Sequence, residues 1–98
     1  MEKENIETLF KKIRDERDYQ DHLCTLKELP LSPTVEGELV MLKTYIDKTL
    51  VLWTKNPSDQ IILSELRKIA GIAIRGLENY GCPKRDLIKS FEKGEFNQ

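Results

Sequence analysis

Lys68, Gly71, Arg75 and Glu78 lie three, four and three residues apart within the stretch LRKIAGIAIRGLENYG, residues 66–81. On a helix that spacing puts all four on one face. Two cations flanking a glycine form a seat suited to an anion, because a guanidinium and an ammonium can both donate while the missing side chain gives room. The plainer alternative is a solvated face with ordinary ion pairs, Arg75 with Glu78 among them. The same stretch concentrates small residues: Ala70, Gly71, Ala73 and Gly76. Each interior glycine costs a helix roughly 1 kcal/mol relative to alanine. Two readings account for that cost. A second helix backbone can approach closely and gain dispersion contacts, or the absence of bulk can open a groove for a ligand.

Other chemistry is thin. Cys24 and Cys82 are far apart, and His22 is the only histidine. No CxxC or HxxxH spacing is present, so the chain lacks a zinc signature and reads as carrying two unpaired thiols. His22 and Cys24 are two residues apart with no third group to orient them, which gives nucleophilic catalysis little support. There is no glycine-rich phosphate loop, finger motif or basic stripe. The net charge of −1 draws the protein to neither nucleic acid nor an anionic membrane. The opening MEKENIETLF has no signal-peptide core, which leads to the expectation of a cytoplasmic protein.

The elements that position these residues are helical. A first helix is expected over 3–21, on the spacing of Ile6, Leu9, Phe10 and Ile13; its second half, RDERDYQDH, is almost wholly polar and would hold through exposed pairs or fray. LCTLKELPLSPT is a loop, broken by Pro30 and Pro33. Ser32 as N-cap and Pro33 as first residue then open a second helix over 33–55. Val35, Leu39, Leu42, Ile46, Thr49, Leu50 and Trp53 form its apolar stripe, widened by Val40, Met41, Tyr45, Val51 and Leu52. A helix apolar on more than one side meets more than one neighbour, so it belongs centrally in a bundle or at a subunit interface. Asn56 and Pro57 are expected to cap and open a third helix over 57–80, antiparallel to the second, with Ile62, Leu66, Ile69, Ala73, Leu77 and Tyr80 as its stripe. Gly81 and Pro83 end it, and Leu87, Ile88 and Phe91 suggest a short last helix stopping near Gly94. The expectation is one all-α domain over 1–98, with its core at about 3–92. It is a bundle of three main helices plus a short C-terminal one, completed by self-association because one chain leaves much apolar surface open.

Three stretches carry a resemblance. ERDYQ (16–20), VEGELVMLKTYIDKTLVLWTKNPSD (35–59) and LSELRKIAGIAIRGLENYGCPKR (63–85) resemble a family of small phage and prophage helical proteins of unsettled function. That family's pattern runs close to ER-x-YQ, then GE-W, then Y-L-D-K-A-x-x-A-W, then L-R-K-x-A-x-x-A-x-x-x-L-E-x-x-G-x-P-x-R. Glu16, Arg17, Tyr19 and Gln20 match its opening; Gly37, Glu38, Tyr45, Asp47, Lys48 and Trp53 its middle; Leu66, Arg67, Lys68, Ala70, Ala73, Leu77, Glu78, Gly81, Pro83 and Arg85 its end. More distantly the layout is similar to the all-α nucleotide pyrophosphohydrolases of MazG type. Those enzymes place Glu-x-x-Glu on one helix and Glu-x-x-Asp on the next, gathering four carboxylates around magnesium, which holds a triphosphate and activates water.

This chain departs from that site. Thr44 and Lys48 stand where the second helix would carry glutamates, and Lys68 stands where the third would carry its aspartate. A lysine repels a cation, so the resemblance implies the fold and argues against the activity. The expected function is a non-catalytic phage-type accessory protein: an oligomeric helical scaffold, without cofactor, that binds an anionic nucleotide-like ligand or a host protein and serves as a counter-defence sponge or inhibitor. Lys48, Arg67, Lys68, Gly71 and Arg75 are its candidate ligand residues; Met41, Tyr45, Trp53, Ala70 and Gly76 are its candidate interface residues. The alternatives are a magnesium-dependent pyrophosphohydrolase working through Glu38, Asp47, Glu65 and Glu78, and an inhibitor module that binds a protein and no small ligand.

Overall fold

The computed structural model describes residues 3–25 and 34–86. Three α-helices account for most of them: α1 (Ile6–Thr25), α2 (Val35–Trp53) and α3 (Asp59–Tyr80). The protein is an all-α helical bundle. Among the described residues no helix is long and apolar enough to cross a membrane. The expected C-terminal helix through Leu87, Ile88 and Phe91 lies outside the described residues, as does the Ser32–Pro33 cap.

Each helix begins and ends for a local reason. Asn5 opens α1: its Oδ1 accepts from the backbone N–H of Glu7 at 2.8 Å and of Thr8 at 3.4 Å. Thr34 caps α2, with Oγ1 accepting from Gly37 N–H at 2.9 Å. Asn56 does not cap α3. It takes a left-handed φ of 56° and closes α2 instead, its N–H donating to the Trp53 carbonyl at 3.0 Å. Asparagine tolerates that region, and the proline after it keeps it out of the right-handed helical well. The cap of α3 falls to Ser58, whose carbonyl accepts from Ile61 N–H at 3.1 Å while its side chain makes no cap bond. Gly81, at φ 99°, stops α3 and donates its N–H to the Leu77 carbonyl at 2.8 Å.

The central helix is α3, not α2. Both other helices pack on α3, and α1 and α2 do not pack on each other. Contacts from α1 run in step with α3, with Glu16 at Arg67 and Cys24 at Arg75. Those from α2 reach its C-terminal half from the α2 N-terminus, with Glu38 and Met41 at Arg75. The order is therefore up, down, up, with α3 in the middle.

The apolar core is very small. Ile72 is the one fully buried large apolar side chain among the described residues, at 1% exposure. It is outside the stripe read for α3. It lies between Gly71, which faces α1, and Arg75 and Gly76, which face α2, so it sits where both neighbours shield it. The expected stripes are largely in water. Ile6, Phe10, Val35, Leu39, Leu50, Trp53 and Leu66 are each more than half exposed. A periodicity that marks a buried face in a complete bundle here marks a face that the described residues leave uncovered.

Candidate functional site

The side chains that fill the helix junctions are polar. Glu16, Arg17, Gln20, Glu38 and Arg75 are all buried. Four belong to two small networks, one on each side of α3, and Arg17 joins the first.

On the α1 side, Gly71 makes the network fit. A Cβ at Gly71 would lie 2.7 Å from Gln20 Nε2 and 2.9 Å from Glu16 Cγ. The space without a side chain is therefore filled by α1. Gln20 Nε2 donates to the Lys68 carbonyl at 3.1 Å and to Glu16 Oε2 at 3.0 Å, and Glu16 Oε1 accepts from Arg67 Nε at 3.1 Å. Arg17 turns to the C-terminal end of α3. Its Nε meets Glu78 Oε1 at 2.7 Å and its Nη2 meets Asp21 Oδ1 at 2.9 Å, while Nη1 donates to Gln20 Oε1 at 3.3 Å. Burial alone would lower the proton affinity of Arg17. Hydrogen bonds to Glu78 and Asp21, with their charge, outweigh it, so its pKa sits above the ordinary arginine value. This half of α1 was expected to be exposed or frayed. It stays helical to Thr25 because Glu16, Arg17 and Gln20, at i, i+1 and i+4, find partners on α3.

On the α2 side, Arg75 Nη2 donates to Glu38 Oε2 at 3.0 Å, with both side chains more than nine-tenths buried. The same Nη2 lies 2.9 Å from Met41 Sδ, and Nη1 lies 3.7 Å from Cys24 Sγ on α1. Arg75 is thus the side chain that touches all three helices. Among the described residues, the two buried side-chain polar atoms without a partner, Glu38 Oε1 and Arg75 Nε, belong to this one pair. A guanidinium and a carboxylate that met fork to fork would satisfy both at once.

These contacts disperse the residues that spacing had grouped. Lys68 and Arg75 diverge: Lys68 Nζ pairs with Glu65 at 3.0 Å, and Arg75 turns to α2. The Arg75–Glu78 pair is not formed, because Glu78 takes Arg17 from α1. Gly71 lies under Gln20, and Gly76 faces Glu38 with ordinary contacts of 3.6 and 3.7 Å to where its Cβ would be. Lys48 stands apart on the exposed side of α2, its ammonium 5.1 Å from the Tyr45 ring centroid. Met41 and Tyr45 are half-buried, and Trp53 is 66% exposed.

The four carboxylates of the hydrolase alternative are each held by a different cation: Glu38 by Arg75, Asp47 by Lys43, Glu65 by Lys68 and Glu78 by Arg17. Among the described residues no three histidines, cysteines, aspartates or glutamates are grouped so as to hold a metal ion.

Besides a shallow hollow of about 400 Å³ over Thr44, Asp47, Lys48 and Val51 on α2, a larger groove accompanies the networks. It runs between the N-terminal halves of α1 and α3, encloses about 890 Å³, and has Leu9, Ile13, Leu63, Leu66 and Ala70 in its walls. Lys12, Arg67 and the acidic Glu4 line it too, Lys12 paired with Glu4 and Arg67 with Glu16. Arg67 and Ala70, from the candidate ligand and interface sets, are the members of those sets that line it. Sequence reasoning did not foresee this groove, because it depends on α1 running in step with α3.

No family model matches the chain, and no curated protein or solved structure matches it.

Proposed function

We propose that this protein is a non-catalytic, phage-type accessory protein: a cytoplasmic helical scaffold that works as a homo-oligomer and binds an anionic nucleotide-like ligand. A nucleotide asks for two things of a site. Its base wants an apolar wall, and its phosphate wants a guanidinium or ammonium. The groove between α1 and α3 offers both, in Leu9, Ile13, Leu63 and Leu66 on one hand and Lys12 and Arg67 on the other. Arg67 carries the reading. Its side chain is 46% exposed and lines the groove, with Nε donating to Glu16 Oε1 and Nη2 to the Ser64 hydroxyl at 3.3 Å, a contact that a phosphate oxygen can replace.

Self-association rests on the exposed apolar faces of all three helices, which no other part of the described chain covers. The non-catalytic part rests on the pairing of each candidate carboxylate with its own cation. The counter-defence role, in which a nucleotide signal is held out of solution, rests on the sequence resemblance alone.

Isothermal titration with a panel of linear and cyclic nucleotides tests the ligand. Binding by at least one member is expected, weakened roughly tenfold or more by Arg67→Ala, since that change removes a charge-assisted contact. No heat with any member would overturn the ligand and leave a host protein as the partner, to be sought by pull-down. Magnesium-dependent release of pyrophosphate from a nucleoside triphosphate would overturn the non-catalytic assignment.

A further inference from the structure

The outer stripe of α2 repeats in a way that matches itself reversed. Val35, Leu39, Leu42, Ile46, Thr49 and Trp53 are separated by four, three, four, three and four residues. That is the alternating spacing of a coiled-coil seam. The order is the same read from either end, so position 35 pairs with 53, 39 with 49 and 42 with 46 about a midpoint at residue 44. No charged residue interrupts it.

In the fold this stripe borders the face of α2 that packs on α3: Leu42 and Thr49 are half-buried at that border, and the other four members lie toward solvent. Glu38 and Met41 turn the adjacent face of α2 onto Arg75. Val35, Leu39, Ile46 and Trp53 are 59, 67, 42 and 66% exposed. With Leu50 beside them, at 57%, they present on the order of 500 Å² of apolar surface, about the apolar share of the ~800 Å² that a standard interface buries on each partner. A surface that is its own complement under a half-turn is what an isologous dimer requires. The nearest cation to the midpoint, Lys43, already holds Asp47 at 2.7 Å, so two copies meeting there do not bring bare like charges together.

The geometry points to a second copy of this chain as the occupant: two α2 helices pack antiparallel about a twofold axis near residue 44. This deepens the homo-oligomeric reading above and rests on it. The axis sets Leu39 of one copy against the Thr49–Leu50 step of the other, and Val35 against Trp53. Two copies of Leu39 are then far apart, at opposite ends of the seam.

The full chain carrying Cys24→Ser and Cys82→Ser, so that no native thiol interferes, serves as background. Leu39→Cys and Leu50→Cys are made singly, both at exposed positions, then mixed and oxidised. A mixed disulfide between the two variants, with little of either symmetric product, is expected. Predominant Leu39–Leu39 cross-linking would overturn the antiparallel arrangement. Sedimentation of the unmodified protein is measured alongside, and Leu39→Asp is expected to weaken self-association roughly 100-fold or more, by burying a charge in the seam. An oligomer unmoved by Leu39→Asp overturns this surface while leaving the oligomeric reading intact. A monomeric unmodified protein overturns both. If, in that monomer, the Leu39→Cys thiol is also slow to alkylate, residues 26–33 or 87–98 of the same chain cover the stripe instead.

Discussion

Arg75 of α3 and Glu38 of α2 form an ion pair at 3.0 Å with their side chains only 4% and 7% exposed. In a protein whose one fully buried large apolar residue among those described is Ile72, this pair occupies much of what would otherwise be core. Removing one partner strands a charge out of water. Arg75→Leu is therefore expected to cost about 3–5 kcal/mol, a large part of the stability of any small domain. Replacing both, as Glu38→Leu with Arg75→Met, is expected to recover most of that loss. Urea denaturation of the two singles and the double checks it. A double variant as unstable as the singles added together would mean that the two side chains act independently.

The two interior glycines of α3 should respond to alanine in opposite directions. Gly76 has only ordinary contacts around its Cβ position, so Gly76→Ala is expected to stabilise by up to about 1 kcal/mol through helix propensity. At Gly71 the new methyl would sit 2.7 Å from Gln20 Nε2. That amide cannot swing away freely, because it is bonded to both the Lys68 carbonyl and Glu16. Gly71→Ala is expected to destabilise by about 1–3 kcal/mol. The loss should shrink in a Gln20→Ala background, where the Gln20 contact is gone and only that with Glu16 Cγ at 2.9 Å remains. Thermal melts of the unmodified protein, the two glycine variants, Gln20→Ala and the Gln20→Ala/Gly71→Ala double read both effects, and equal responses at Gly71 and Gly76 would contradict the α1 packing.

The caps offer a second contrast. Thr34→Ala removes the bond to Gly37 N–H and is expected to cost about 1 kcal/mol. Ser58→Ala removes no cap bond, and a smaller loss is expected. The comparison is read from denaturation midpoints, with helicity followed by circular dichroism.

Arg17 sets a pH expectation. Its folded pKa is raised above the ordinary arginine value, so what it contributes to stability is fully present below that value and is lost only as pH rises through the folded one. The penalty of Arg17→Ala should therefore be level between about pH 7 and pH 10, well below the range in which an ordinary arginine titrates. A penalty that fades across that interval would place its origin in another group.

How much of this was legible in the sequence follows the range of the forces involved. Helix identity is local. The spacing of Leu9 with Ile13 and of Ile62 with Ile69, and the stop at Gly81, depend on residues within about two turns of each other, and the bundle of three main helices follows from them. The helix boundary at Asn56 was misplaced because Asn before Pro suits either a cap or a left-handed stop, and only the path of the chain chooses. The ERDYQ stretch looked like surface because burial of Glu16, Arg17 and Gln20 is tolerable only once α3 brings Arg67, the Lys68 carbonyl and Glu78 alongside.

By itself, then, the sequence determined three amphipathic helices, the small residues at 70–76 and the spread of apolar side chains around α2. Only the tertiary structure decided that α3 is central, that Gly71 admits Gln20, and that Arg75 answers to Glu38 rather than Glu78. The reason is geometric. Helical periodicity fixes which residues share a face, but the partner a charged side chain meets depends on which helix lies across from it, and no spacing along one chain segment encodes that.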